Sequence, residues 1–174
     1  PVRSTNLTRG RTGRSAFDWW PPVDWWPDAA RDLLPPGSGT ASATLFLPPH
    51  HESVHSARNF AARTLAGWGL TGLIDNMALV VSELTTNALR HGLAADGPGP
   101  VRYQRHPIRM SLIHREPFVA CAISDPGSAA PVLRPSEPYE PGGLGLHIVD
   151  TISLRWGWCP LTPRGKAVWA VLKG

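Results

Sequence analysis

Between Leu73 and Ala88 apolar residues return every three or four positions: Leu73, Met77, Val80, Val81, Leu84 and Ala88. That spacing predicts one helix over residues 77–92 with these side chains on its inner stripe. Thr71 is placed to cap the start, Asp75 to favour the positive end of the dipole, and Gly92 to end the run. Residues 53–68 repeat the pattern. Val54, Ala57, Ala61, Leu65 and Trp68 share a side, Arg58 and Arg63 face water, and Gly67 and Gly69 stop the helix. A third, short helix is predicted over 144–152. Strand patterns fill the spaces between. Residues 43–47 form a first strand halted by Pro48-Pro49, and 109–114 alternate apolar with polar. Residues 117–124 are apolar throughout, as in a central strand, with a turn at Arg115-Glu116. Two last strands, 154–159 and 166–172, flank a turn at Pro163-Arg164-Gly165. Strand, helix, helix, two strands, helix, two strands implies an α/β chain of the α+β two-layer sandwich kind. Its sheet is expected to be mixed, largely antiparallel, with helices on one face.

Composition adds a boundary. The chain has 174 residues, 42% of them hydrophobic, enough for one domain with a core. Its 19 prolines and 17 glycines require long stretches of loop. The first fifteen residues are mostly Arg, Ser, Thr and Gly and a Pro/Trp stretch follows them, which divides the chain into a Pro/Trp-rich N-terminal tail, 1–40, and a globular domain, 41–174. The tail holds two related units, Asp18-Trp19-Trp20-Pro21 and Asp24-Trp25-Trp26-Pro27. Proline bars a regular helix or central strand there. Four tryptophans call for a surface to dock on, either this domain's own or that of a further protein partner. The net charge of +4 brings no dense Lys/Arg block, so nucleic acid is not an expected partner. Cys121 and Cys159 lack metal-ligand spacing. No run has the length of a signal peptide core or a membrane span, and the expected setting is the cytoplasm, without membrane contact.

Three groups of residues carry candidate chemistry. Glu83, Asn87 and His91 follow one another at four-residue steps and share a helix face. A carboxylate and a carboxamide one turn apart suit metal-assisted work: Asn gives a neutral oxygen to a hard cation, and Glu can orient or deprotonate a nucleophile. Taken alone, the stretch equally describes a surface helix with a polar face. Asp125-Pro126-Gly127 ends the apolar strand and reads either as a turn or as an acid at a pocket rim that accepts an exocyclic amine. Gly142-Gly143-Leu144-Gly145-Leu146 opens the short helix, where backbone N–H groups at the positive end can meet phosphate.

In this order, E-x-x-x-N, D-x-G and G-x-G resemble the nucleotide site of the GHKL ATPases. The likeness is to their small bacterial branch of anti-sigma-factor serine protein kinases and actinobacterial regulatory ATP-binding proteins. It spans residues 41–172. The resemblance implies the GHKL ATPase fold, ATP or ADP and Mg²⁺ as cofactors, Glu83 as general base and Asn87 as the metal ligand. It further implies Asp125 and Gly127 at adenine, and Gly143, Leu144, Gly145 and Leu146 around the phosphates, with His91 beside them. The implied activity is phosphorylation of a Ser or Thr on an anti-sigma-factor antagonist. The alternative is a non-catalytic ATP-dependent binding module, either an anti-sigma factor or an adaptor using the Trp-rich tail. Implied partners are a sigma factor or a STAS-type antagonist, and a second copy in a homodimer. A sensor kinase would carry a phospho-accepting His on a helical hairpin where this chain has its Pro/Trp stretch. After Gly165 the family places a supporting Thr; here Lys166-Ala167 stands, with Ala167 taken as the departure and Lys166 as a solvated strand residue.

Overall fold

The computed structural model describes residues 41–92, 108–133, 144–161 and 165–174. The tail, the connection 93–107, residues 134–143 with Gly143 among them, and most of the 163–165 turn lie outside the described residues.

Strand β1 (Ala41–Leu47) leads to helix α1 (Glu52–Gly67). A 3₁₀ turn (Thr71–Leu73) enters α2 (Ile74–Asn87), which runs on into a π-helical turn (Ala88–Gly92). Strands β2 (Ile108–Arg115) and β3 (Phe118–Asp125) form a hairpin. Then come α3 (Gly145–Ile152), β4 (Arg155–Pro160) and β5 (Lys166–Lys173). The sheet order is β1-β2-β3-β5-β4, and every pairing is antiparallel. The expected two-layer sandwich is therefore present, and the mixed sheet narrows to a wholly antiparallel one among the described residues.

The helix stripes do what their spacing predicts. Met77, Val80, Val81, Leu84 and Ala88 of the central helix are buried, with Ala57, Ala61 and Leu65 of α1 beside them. They pack on Val119, Cys121 and Ile123 of β3 and Val168, Ala170 and Leu172 of β5. Alternation sends the other residues of those strands to the opposite face, where Phe118, Ala120, Ala122, Ala167, Trp169 and Val171 form a second cluster that contains no helix residue among those described. Both faces of β3 are thus apolar, which explains why its sequence does not alternate. Thr71 does not cap α2. The chain tightens into the 3₁₀ turn first, and the N-cap position falls to Leu73, which makes no side-chain cap bond. Gly69, at φ +77°, turns the chain from α1 into that entry. No helix among the described residues is long and apolar enough to cross a membrane.

Candidate functional site

Helix α2 carries the first part of the site. Its buried stripe fixes its rotation, and that leaves Glu83 and Asn87 half-buried on the neighbouring face. Neither side chain makes a hydrogen bond or ion pair among the described residues, so both keep their acceptor oxygens for a ligand. Helix α3 packs against α2 and brings its start to this point. A Cβ at Gly145 would overlap the Glu83 carboxylate and would lie 3.7 Å from Glu83 Cβ, so glycine is what lets the two elements meet this closely. No side chain among the described residues caps α3. Its first amides have no partner within the helix and point along the positive end of its dipole, beside Glu83. Leu144 is exposed, whereas the Leu146 side chain belongs to the core. Leu146 can serve a ligand only through its backbone.

The second part lies where β3 ends. Asp125 is 4% exposed. Its Oδ1 accepts the Gly127 backbone N–H at 2.9 Å and the Lys166 ammonium at 2.8 Å. Lys166 Nζ also donates to the Gly127 carbonyl at 3.4 Å. Register makes the pair: Asp125 stands directly opposite Lys166 across β3 and β5. Gly165 makes the approach feasible, since its φ is +100° and a Cβ there would overlap the Asp125 carbonyl oxygen. Burial pushes the Asp125 carboxyl above its ordinary value, while the Lys166 charge and hydrogen bond, the Gly127 amide and the His91 charge all act the other way.

His91 links the two parts. The helix changes from α to π after Asn87, so the simple four-residue repeat holds for Glu83 and Asn87 but not onward to His91. The π turn packs on β3 and puts His91, exposed, near enough to act on Asp125. Insertions of this kind often sit at functional sites.

Two expectations are corrected. Lys166 is not solvated: it is 4% exposed and ion-paired. Ala167 is not the residue beside Asp125. It opposes Ser124 and points into the second apolar cluster, away from the helices. The signal was available, because Lys166, Val168, Ala170 and Leu172 share one face by period two, and the last three belong to the core. Thr85 is a further oddity, fully buried with no partner for its hydroxyl among the described residues.

No group of three or more His, Cys, Asp or Glu that could hold a metal ion occurs among the described residues. Asn87, with its carboxamide oxygen unengaged by any described residue, offers the kind of neutral oxygen that a hard cation such as Mg²⁺ takes.

A family model described as the histidine kinase-like ATPase domain matches residues 47–172. No curated protein matches the chain.

Proposed function

The chain belongs to the histidine kinase-like ATPase domain family, and from that premise we propose that it is an ATP-binding regulatory protein of anti-sigma-factor type that phosphorylates a Ser or Thr on an antagonist protein. The observation that carries this reading is the meeting of Glu83 with Gly145. It joins a carboxylate able to accept a proton to a helix start able to hold phosphate, with Asn87 one turn away. Bound Mg-ATP would supply the transferable phosphoryl group and neutralise its charge. The chain's own residues have positioning tasks, which suits phosphoryl transfer. Glu83 orients the partner's hydroxyl and accepts its proton. Asn87 offers its carbonyl oxygen to the cation. The amides of Gly145 and Leu146 face the phosphates, and Asp125 receives the base.

The test is phosphate transfer from labelled ATP to proteins that co-purify with the chain, followed by identification of the modified residue. Serine or threonine phosphorylation that Glu83→Ala abolishes, with ATP binding kept, is the expected result. Full regulatory activity in Glu83→Ala, with no phosphate transferred by the wild type, would overturn it. One observation favours a second reading. The Asp125 carboxylate is already ion-paired to Lys166, a departure compatible with a binding module that uses nucleotide as a structural ligand and meets its sigma factor, antagonist or other partner through the Trp-rich tail.

A further inference from the structure

The Lys166–Asp125 pair adds a charge that reading adenine does not need. A carboxylate alone suffices to accept an exocyclic amine. A lysine within 2.8 Å, almost fully buried with it, changes what the pair can recognise. The remaining bonding capacity can be counted. Asp125 Oδ1 already receives two hydrogen bonds, from Gly127 and Lys166. Its Oδ2 receives none among the described residues. Lys166 Nζ has three N–H groups; one goes to Asp125 and one makes a long contact of 3.4 Å to the Gly127 carbonyl. What remains is an acceptor next to a cationic donor, held together by strand register.

We infer that Lys166 is a base-reading residue and that the Asp125–Lys166 pair admits 6-oxopurine nucleotides, those of guanine and hypoxanthine, as well as adenine; this rests on the nucleotide-site reading above. Adenine presents an amine donor beside a ring-nitrogen acceptor. A 6-oxopurine presents a ring N–H donor beside a carbonyl acceptor. A lone carboxylate repels that carbonyl oxygen and leaves it without a donor in a buried site, which is costly. The Lys166 ammonium reverses the sign: it gives the carbonyl a charge-assisted hydrogen bond, while Oδ2 takes the ring N–H. A neutral hydroxyl in place of Lys166 lacks the charge to do this. The inner position of Lys166, on the strand face it shares with Val168 and Ala170, directs the amine to the site and away from bulk water.

The experiment is calorimetric titration of the full chain with ATP, GTP and inosine triphosphate in the presence of Mg²⁺, for wild type, Lys166→Thr and Lys166→Gln. In wild type, GTP and inosine triphosphate should bind within about tenfold of ATP, since one charged hydrogen bond offsets the loss of another. Lys166→Thr should weaken both 6-oxopurines on the order of tenfold more than it weakens ATP. Lys166→Gln keeps a neutral hydrogen-bond donor for the Asp125 carboxylate, so it serves if Lys166→Thr does not fold, and without the charge it should weaken the 6-oxopurines more than ATP, though less than Lys166→Thr does. Wild type that binds ATP but neither 6-oxopurine overturns the inference and leaves the ATP site standing. An unchanged ratio of the three affinities in the variants assigns Lys166 a purely structural role and also overturns it. Wild type that binds none of the three overturns the nucleotide-site reading itself, and this inference with it.

Discussion

The two ends of the site are built in opposite ways. At the helical end, Glu83 and Asn87 are half-buried and make no bond to a described residue, and a glycine with no side chain to offer stands against Glu83. At the strand end, Asp125 is buried, twice hydrogen-bonded and ion-paired, and a glycine at positive φ locks the neighbouring strand against it. The helical end is arranged for ligands to complete; the strand end already satisfies much of its own charge. The contrast suggests that substitutions at the first end change chemistry with little effect on folding, and that substitutions at the second change both.

The sharpest way to break that comparison is Glu83→Ala. It should lower phosphotransfer by about 10²-fold or more, the scale for a positioned base, while ATP affinity and the denaturation midpoint stay put. A large fall in stability would show that Glu83 is structural. Gly145→Ala comes next. The added methyl must push the flexible Glu83 carboxylate aside, so transfer should drop by on the order of tenfold to 10²-fold with the fold intact. Wild-type transfer rates in this variant would mean that the Glu83 carboxylate does not act from its present position.

The opposite behaviour is expected of Gly165→Ala. The backbone there is left-handed, and the methyl would meet a backbone carbonyl that cannot step aside. A stability loss of roughly 1–3 kcal/mol in chemical denaturation should accompany weakened nucleotide binding. Thr85→Val should be neutral or stabilising by about 1 kcal/mol, because the hydroxyl it removes is buried without a partner among the described residues. A clear loss would reveal a bond that this hydroxyl makes. The smallest effect concerns pH. The Asp125 carboxyl is raised above 3.8 mainly by burial, so its contribution favours the folded chain below that value. The contribution is lost as pH rises through the folded-state value. Subtracting the stability curve of Asp125→Asn/Lys166→Thr from that of wild type should isolate this slope, with wild type losing ground as pH rises.

Much of this was legible in the chain itself. Periodicity located the described strands, α1 and α3 to within one or two residues, because each is amphipathic or, in β3, apolar on both faces; α2 starts at Ile74, three residues before the expected 77. The polar pair Glu83 and Asn87 was legible because four-residue spacing is geometry. Three things were not. Thr71 looked like a cap, but a 3₁₀ turn intervenes. The meeting of Glu83 with Gly145 depends on how two helices pack, which neither stretch encodes locally. Lys166 was misjudged because residue type was weighed over period. A lysine is seldom buried unless paired, and its partner Asp125 lies far away in the chain. Gly143 and the Trp-rich tail lie outside the described residues.

The ion pair has a consequence for how the chain finds its fold. In most sheets a one-residue slip between strands is penalised because it turns apolar side chains to water. Strands β3 and β5 lack that safeguard, since both of their faces are apolar and buried. A slipped pairing would still bury oil against oil. It would, however, set Lys166 against Ser124 or move it past the strand end, leaving two buried charges without each other at a cost on the order of 3–5 kcal/mol. The pair therefore acts as a registration mark for the middle of the sheet: it selects, among alignments that hydrophobicity alone would accept, the one that also assembles the site.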